Sequence, residues 1–122
     1  MASQLKKTVI GERTILYDAD LLKTPHLDVM AGPCRVREIK CGNTAGGAIE
    51  HLKLYDSDAP AVGTTGPKFI LAVPIGATIA ESFPDGIPFD NLSMLACQEA
   101  GNTVTNDPST DFVCTIIATE GV

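Results

Sequence analysis

The chain has no tryptophan and only two tyrosines and four phenylalanines in 122 residues. Sugar-binding sites usually offer flat aromatic rings to stack on, so this scarcity lowers a carbohydrate-binding reading without removing it. Basic residues are also few. Nine Lys and Arg against fifteen Asp and Glu give a formal net charge of −6, and the nine are scattered along the chain. No positive surface is expected on which phosphates would release counterions, so nucleic acid is not an expected partner. No segment approaches the roughly 20 consecutive apolar residues that span a bilayer, and no membrane association is expected. Met1-Ala2-Ser3-Gln4-Leu5-Lys6-Lys7 leads into polar and charged residues instead of an apolar stretch. A secretory signal is therefore not expected, and synthesis and folding are expected in the cytoplasm with the cysteines reduced.

Reactive motifs are missing as well. None of the four cysteines stands at Cys-x-x-Cys spacing, and His26 and His51 are not spaced with them as zinc ligands would be. Cys34 and Cys41 lie seven apart, on opposite faces of an unbroken pleat, while Cys97 and Cys114 sit inside apolar runs. Buried free thiols are the favoured reading, with a disulfide or a metal as the alternative. There is no Gly-x-Ser-x-Gly elbow or thiol-protease context, and Gly42, Gly46 and Gly47 do not form a phosphate cradle ahead of a helix. Most carboxylates fall in turns, where aspartate serves local hydrogen bonds. Asp56-Ser57-Asp58 lacks the glycine and glutamate of a calcium loop, and a pairing of Glu81 with Asp85 for glycoside hydrolysis would need support from geometry. No catalytic residue, metal site or cofactor is predicted, and the chain is read as a non-enzyme.

What the chain does have is a β pattern. Hydrophobic residues at 44% and charged residues at 20% place it among globular domains rather than disordered chains, and its length suits one domain with one core. Over residues 49–97 four apolar runs alternate with turn-formers, as in a β-meander. The runs are Ile49 to Tyr55, Phe69 to Val73, Thr78 to Phe83 and Leu92 to Cys97. In the first, Leu52 and Leu54 face one way and His51, Lys53 and Tyr55 the other, the pattern of a sheet with one wet face, which leaves His51 exposed. In the second, Phe69, Leu71 and Val73 face inward while Ile70 and Ala72 make the other face apolar too, predicting a central or doubly covered strand. Pro84-Asp85-Gly86 predicts a tight turn with the Phe89 ring beneath it.

Outside that block, Thr14-Ile15-Leu16-Tyr17 reads as a short strand, and residues 18–23 fit one helical turn equally well before Pro25. Residues 34–41 form a strand in which Cys34 and Val36 share one face and Ile39 and Cys41 the other. A bulge near Arg37-Glu38 would return both pairs to the core side; an edge strand apolar on both faces is the alternative. Residues 42–47 predict a flexible turn, and a hairpin joining this strand to the next. Residues 102–110 form a polar loop, with a brief edge strand as an option. The last strand, residues 112–119, alternates Phe112, Cys114, Ile116 and Ala118 with Val113, Thr115, Ile117 and Thr119. These features predict an all-β, single-domain β-sandwich, jelly-roll-like, of about seven to eight strands over residues 14–122. Residues 1–13 read as polar with only Val9-Ile10 as an anchor and predict an extended N-terminal arm.

One stretch carries a resemblance. It runs through Leu52-Lys53-Leu54-Tyr55-Asp56, Val62-Gly63-Thr64-Thr65-Gly66-Pro67, Leu71-Ala72-Val73-Pro74-Ile75-Gly76 and Phe83-Pro84-Asp85-Gly86-Ile87-Pro88-Phe89-Asp90-Asn91-Leu92-Ser93. Together these resemble a pattern in small virion structural proteins of tailed bacteriophages, including cyanophage-type ones, over roughly residues 48–100. The resemblance implies a particle component located in the virion and made in the host cytoplasm. A head-decoration, or cement, protein on the outer capsid surface fits best. Its partners would be the major capsid protein and its own copies, as a homotrimer. A tail, baseplate or fibre-associated protein with a receptor- or carbohydrate-binding role is the alternative. For decoration, Lys6, Lys7 and Arg13 would meet an acidic capsid surface and Val9 and Ile10 would add a strand to an exposed sheet edge; an idle terminus is the competing reading.

Overall fold

Apolar runs broken by turn-formers become eight strands in the computed structural model, which describes residues 4–44 and 46–121. Met1, Ala2 and Ser3 of the expected arm, Ala45 of the expected turn and Val122 lie outside the described residues. The strands are β1 (Lys6–Ile10), β2 (Arg13–Asp18), β3 (Cys34–Gly42), β4 (Glu50–Asp56), β5 (Phe69–Val73), β6 (Thr78–Phe89), β7 (Leu92–Cys97) and β8 (Val113–Glu120). All pairings are antiparallel, in a five-stranded sheet ordered β1-β2-β8-β3-β6 and a three-stranded sheet ordered β5-β4-β7. One apolar cluster draws on both sheets: Leu16, Val36, Ile39, Cys114 and Ile116 from the larger face Leu52, Leu54, Val73 and Met94 from the smaller. This is a β-sandwich with no helix among the described residues, so residues 18–23 do not form the helical turn that fitted them. The jelly-roll-like path is not confirmed by this strand order.

The bulge in β3 lies where the parity change requires it. Register with β8 slips between Val36 and Glu38, and Cys34, Val36, Ile39 and Cys41 all end up buried. The extra residue lets two apolar pairs of opposite parity share one core face.

Four expectations are corrected. β3 and β4 are not a hairpin. β3 is already flanked by β6 and β8, so the chain crosses to the other sheet through residues 43–49. Asn43, buried at that corner, sets the crossing. Its Nδ2 donates to the carbonyls of Ala48 at 2.9 Å and Val73 at 3.1 Å, its backbone N–H donates to Ala77 O, and its carbonyl accepts from Gly76 N–H. Residues 84–86 are not a turn between strands. They lie inside β6, where four residues bulge opposite Arg37, and Arg35 and Arg37 hold the bulge by donating to the carbonyls of Asp85 at 3.0 Å and Pro84 at 2.9 Å. β5 is an edge strand with Leu71 half-buried, because an apolar residue on each face is satisfied there by partial cover. The outer face of β4 is dry at Lys53 and Tyr55, since residues 98–107 fold over it. Lys53 Nζ donates to Thr103 O at 2.7 Å, and Tyr55, Leu95 and Cys97 form a second small core with Val104. His51 is accordingly half-buried.

The outer edges are treated differently. Along β7, residues 22–29 run as an irregular extra strand, with reciprocal bonds between His26 and Met94 and donation from Ala96 N–H to Leu22 O. β6 has two prolines and a bulge on its margin, devices that blunt an edge. β1 has none of these.

Candidate functional site

Residues 4–13 do not stand apart from the body as an arm. β1 pairs with β2 from Lys6↔Tyr17 to Ile10↔Arg13, closing on the two-residue turn Gly11-Glu12. Gly11 sits at φ 61°, the left-handed setting that the first position of a type II′ hairpin turn demands and that glycine adopts freely. An arm was expected because five polar or isolated apolar residues have no periodic face to bury. The pairing comes from the turn chemistry instead.

Every residue of β1 is exposed, a pattern no other strand has. The smaller sheet does not reach under it, and only Leu5 just ahead of it packs against the core. With a two-residue turn the closing pair Ile10–Arg13 is hydrogen-bonded, and ladder alternation then places the bonded pairs at Thr8–Ile15 and Lys6–Tyr17. The backbone N–H and C=O groups of Lys7 and Val9 therefore point away from β2, toward an edge that no described residue occupies. Val9 is 65% and Ile10 61% exposed, so one apolar side chain stands on each face of this open edge.

Two clefts flank the hairpin tip. One, of about 580 Å³, is lined by Ile10, Arg13, Arg37, Glu38, Phe83 and Thr119 among others. The second, of about 440 Å³, is lined by Val9, Thr14, Arg37, Thr119 and Glu120 with the turn itself. The fold thus brings Val9, Ile10 and Arg13 together at one end of the hairpin. Lys6 and Lys7 lie along the open strand and line neither cleft. Arg37, absent from the sequence-derived set, is shared by both clefts. Its Nε donates to Thr119 Oγ1 at 3.1 Å and one Nη to Pro84 O, leaving three of five guanidinium donors without an acceptor among the described residues. A bulge in β3 predicts some reorientation of Arg37, but only the β6 bulge opposite places it here. Arg13 faces Glu38 at 3.9 Å, both well exposed, a pair that adds little to stability and leaves both charges usable.

The five strands of the larger sheet hold six of the nine Lys and Arg residues and five of the fifteen Asp and Glu residues. The rest of the chain therefore carries the acidity.

The other polar clusters are tied into structure. Asp56 Oδ1 accepts from the N–H groups of Asp90 and Asn91 at 2.8 and 3.0 Å, capping the β6–β7 turn. Buried Asp18 meets His26 Nε2 at 2.7 Å and accepts from Asp20 N–H. Glu50, fully buried, accepts from the N–H and Oγ of Ser109. Desolvation pushes the Glu99 carboxyl up, but bonds from the N–H groups of Asn106 and Thr105 and from Asn106 Nδ2 outweigh it and hold the group at about 2. Glu81 and Asp85 are both exposed on β6. Burial first, then the nearby Asp56 and Asp28 charges, push the Cys34 thiol up to about 11, the opposite of an activated nucleophile. Among the described residues no group of three or more His, Cys, Asp or Glu side chains is placed to hold a metal ion, and no helix is long and apolar enough to cross a membrane.

No protein-family model, curated protein or solved structure matches the chain.

Proposed function

We propose that this protein is a non-enzymatic structural component of a virion, a decoration protein that docks on the outer face of a phage head and stabilises it. The observation that carries docking is β1: five exposed residues with an open hydrogen-bonding margin, Lys6 and Lys7 without an acid among them, and Val9 and Ile10 ready to be covered. Such an edge accepts a partner strand by sheet extension, main-chain bonds supplying affinity and alternate side chains specificity. The virion context rests on the sequence resemblance over residues 48–100. Lys6, Lys7 and Arg13 favour an acidic partner surface, and many copies, with homotrimers as the unit, hold a shell through individually weak contacts. The major capsid protein is the proposed partner.

A tail or fibre-associated protein that binds receptor or carbohydrate is the second reading. The clefts beside the hairpin favour it, since their volumes and the Arg13, Arg37 and Glu38 side chains suit a polar ligand.

Co-sedimentation with empty heads tests the proposal. Wild-type protein is expected to pellet with heads and to raise their resistance to heat. Val9→Pro removes an N–H from the open margin while sparing the β1–β2 ladder, and is expected to weaken attachment at least tenfold. Full attachment of Val9→Pro and of a Lys6→Glu/Lys7→Glu variant would overturn β1 as the docking element. Failure of wild type to bind heads, with binding to host polysaccharide, would establish the second reading.

A further inference from the structure

Cys41 and Cys114 are seventy-three residues apart in the chain and directly opposite each other across β3 and β8. Both are fully buried, and their sulfur atoms are 3.8 Å apart, within hydrogen-bonding reach of each other. The kind of pair they form follows from the ladder. Gly121 N–H donates to Pro33 O at 2.8 Å, which makes Pro33–Gly121 a hydrogen-bonded pair. Alternation from there, allowing for the bulge that sets Arg37 and Glu38 against Ile117, makes Lys40–Thr115 bonded and Cys41–Cys114 non-bonded. Counting from the other side agrees: alternation from Ile10–Arg13 through β2 aims the backbone groups of Cys114 at Asp18 in β2, away from β3.

Non-bonded pairs are the closer kind, with Cα atoms about 4.5 Å apart, inside the roughly 4.4–6.8 Å that a disulfide spans. No backbone shift is needed, only side-chain rotation that brings the sulfurs from 3.8 Å to a bond of about 2.05 Å. The other two cysteines have no such partner. Cys34 stands opposite Phe89 and Glu120, and Cys97 lies in the smaller sheet with its thiol donating to Glu99 O.

We propose that Cys41 and Cys114 are a specific disulfide site, closed when the chain folds in the presence of a small-molecule disulfide. The thiolate of one cysteine attacks the small disulfide and releases one small thiolate, leaving a mixed disulfide on the protein. The second cysteine, deprotonated in turn, attacks the protein sulfur of that mixed disulfide, forms the Cys41–Cys114 bond and releases the second small thiolate. The protein loses two protons and two electrons, and one small disulfide becomes two thiols. Closure belongs to folding because the native fold hides both sulfurs. Their mutual hydrogen bond, and then burial, also push the Cys114 thiol well above its ordinary value, so Cys114 holds almost no thiolate in the native fold.

The test is to refold the wild-type chain in a buffer of oxidised and reduced glutathione, and in parallel under strong reductant. The oxidised sample is expected to show two of four thiols in denaturant, a mass lower by two hydrogens, and a melting temperature higher by on the order of 10 °C. Cleavage at acidic residues separates all four cysteines and is expected to yield a single linked pair, Cys41 with Cys114. A Cys34→Ala/Cys97→Ala variant is expected to keep the link. Four titratable thiols after oxidative refolding, or a link through Cys34 or Cys97 in the wild-type map, overturns the proposal whether or not any variant folds.

Discussion

Gly86 illustrates how a single residue fixes a large feature. It adopts φ 75°, and a Cβ there would lie 2.7 Å from Arg35 Cβ, whose side chain clamps the β6 bulge. Gly86→Ala is expected to cost about 2 kcal/mol on denaturant titration, combining left-handed strain with the displacement of Arg35. Glu99 sets a pH window. Its folded value of about 2 lies below the ordinary 4.5, so its stabilisation is complete above pH 4.5 and is lost as pH falls through about 2. Glu99→Gln is expected to lower the melting temperature at neutral pH, and the gap from wild type is expected to narrow between pH 4.5 and 2. Neither role is legible in the sequence: Gly86 reads as an ordinary turn glycine, and Glu99 gains its character from Thr105 and Asn106 only once the loop has folded.

Strands were legible where period-two alternation is strong, as in β4 and β8, or where an apolar run is bounded by turn-formers, as in β7, and the β3 bulge followed from parity alone. Pairing was not. Leu71 and Leu54 look alike in sequence, yet Leu54 is fully buried on the middle strand of its sheet and Leu71 half-buried on its edge. Leu54→Ala is expected to cost about 3 to 5 kcal/mol and Leu71→Ala about half as much, as read from chemical denaturation. Equal losses would show that β5 is covered in solution. Lys53 misled in the same way, because an alternating lysine reads as wet until residues 98–107 are seen to supply its acceptor. At the β1–β2 hairpin, Thr8→Pro removes a ladder donor and is expected to speed amide exchange at Ile15, whereas Val9→Pro is expected to leave it unchanged.

For the molecule as a whole, strand runs and turn spacing sufficed for an all-β sandwich but not for the division into five and three strands, which depends on which neighbour each strand finds. Of the sequence-derived site residues, Val9, Ile10 and Arg13 converge at the hairpin tip and the two lysines do not, while Arg37 arrives through a bulge whose partner strand no local signal names. Most cations lie on the larger sheet and most carboxylates elsewhere, a distribution that would favour presenting the larger sheet to the acidic surface proposed above. Attachment to heads is expected to weaken steeply between 50 and 200 mM salt on the screening scale of about 10 Å at 0.1 M, and Lys6→Glu/Lys7→Glu is expected to flatten that dependence. The prolines and bulge of β6 interrupt its margin, so among the described residues β1 is the edge of the five-stranded sheet that carries no blunting device. Accretion by main-chain pairing through that sheet would consequently halt after one event per molecule, which suits the proposed one-copy-per-acceptor docking and works against growth into fibrils.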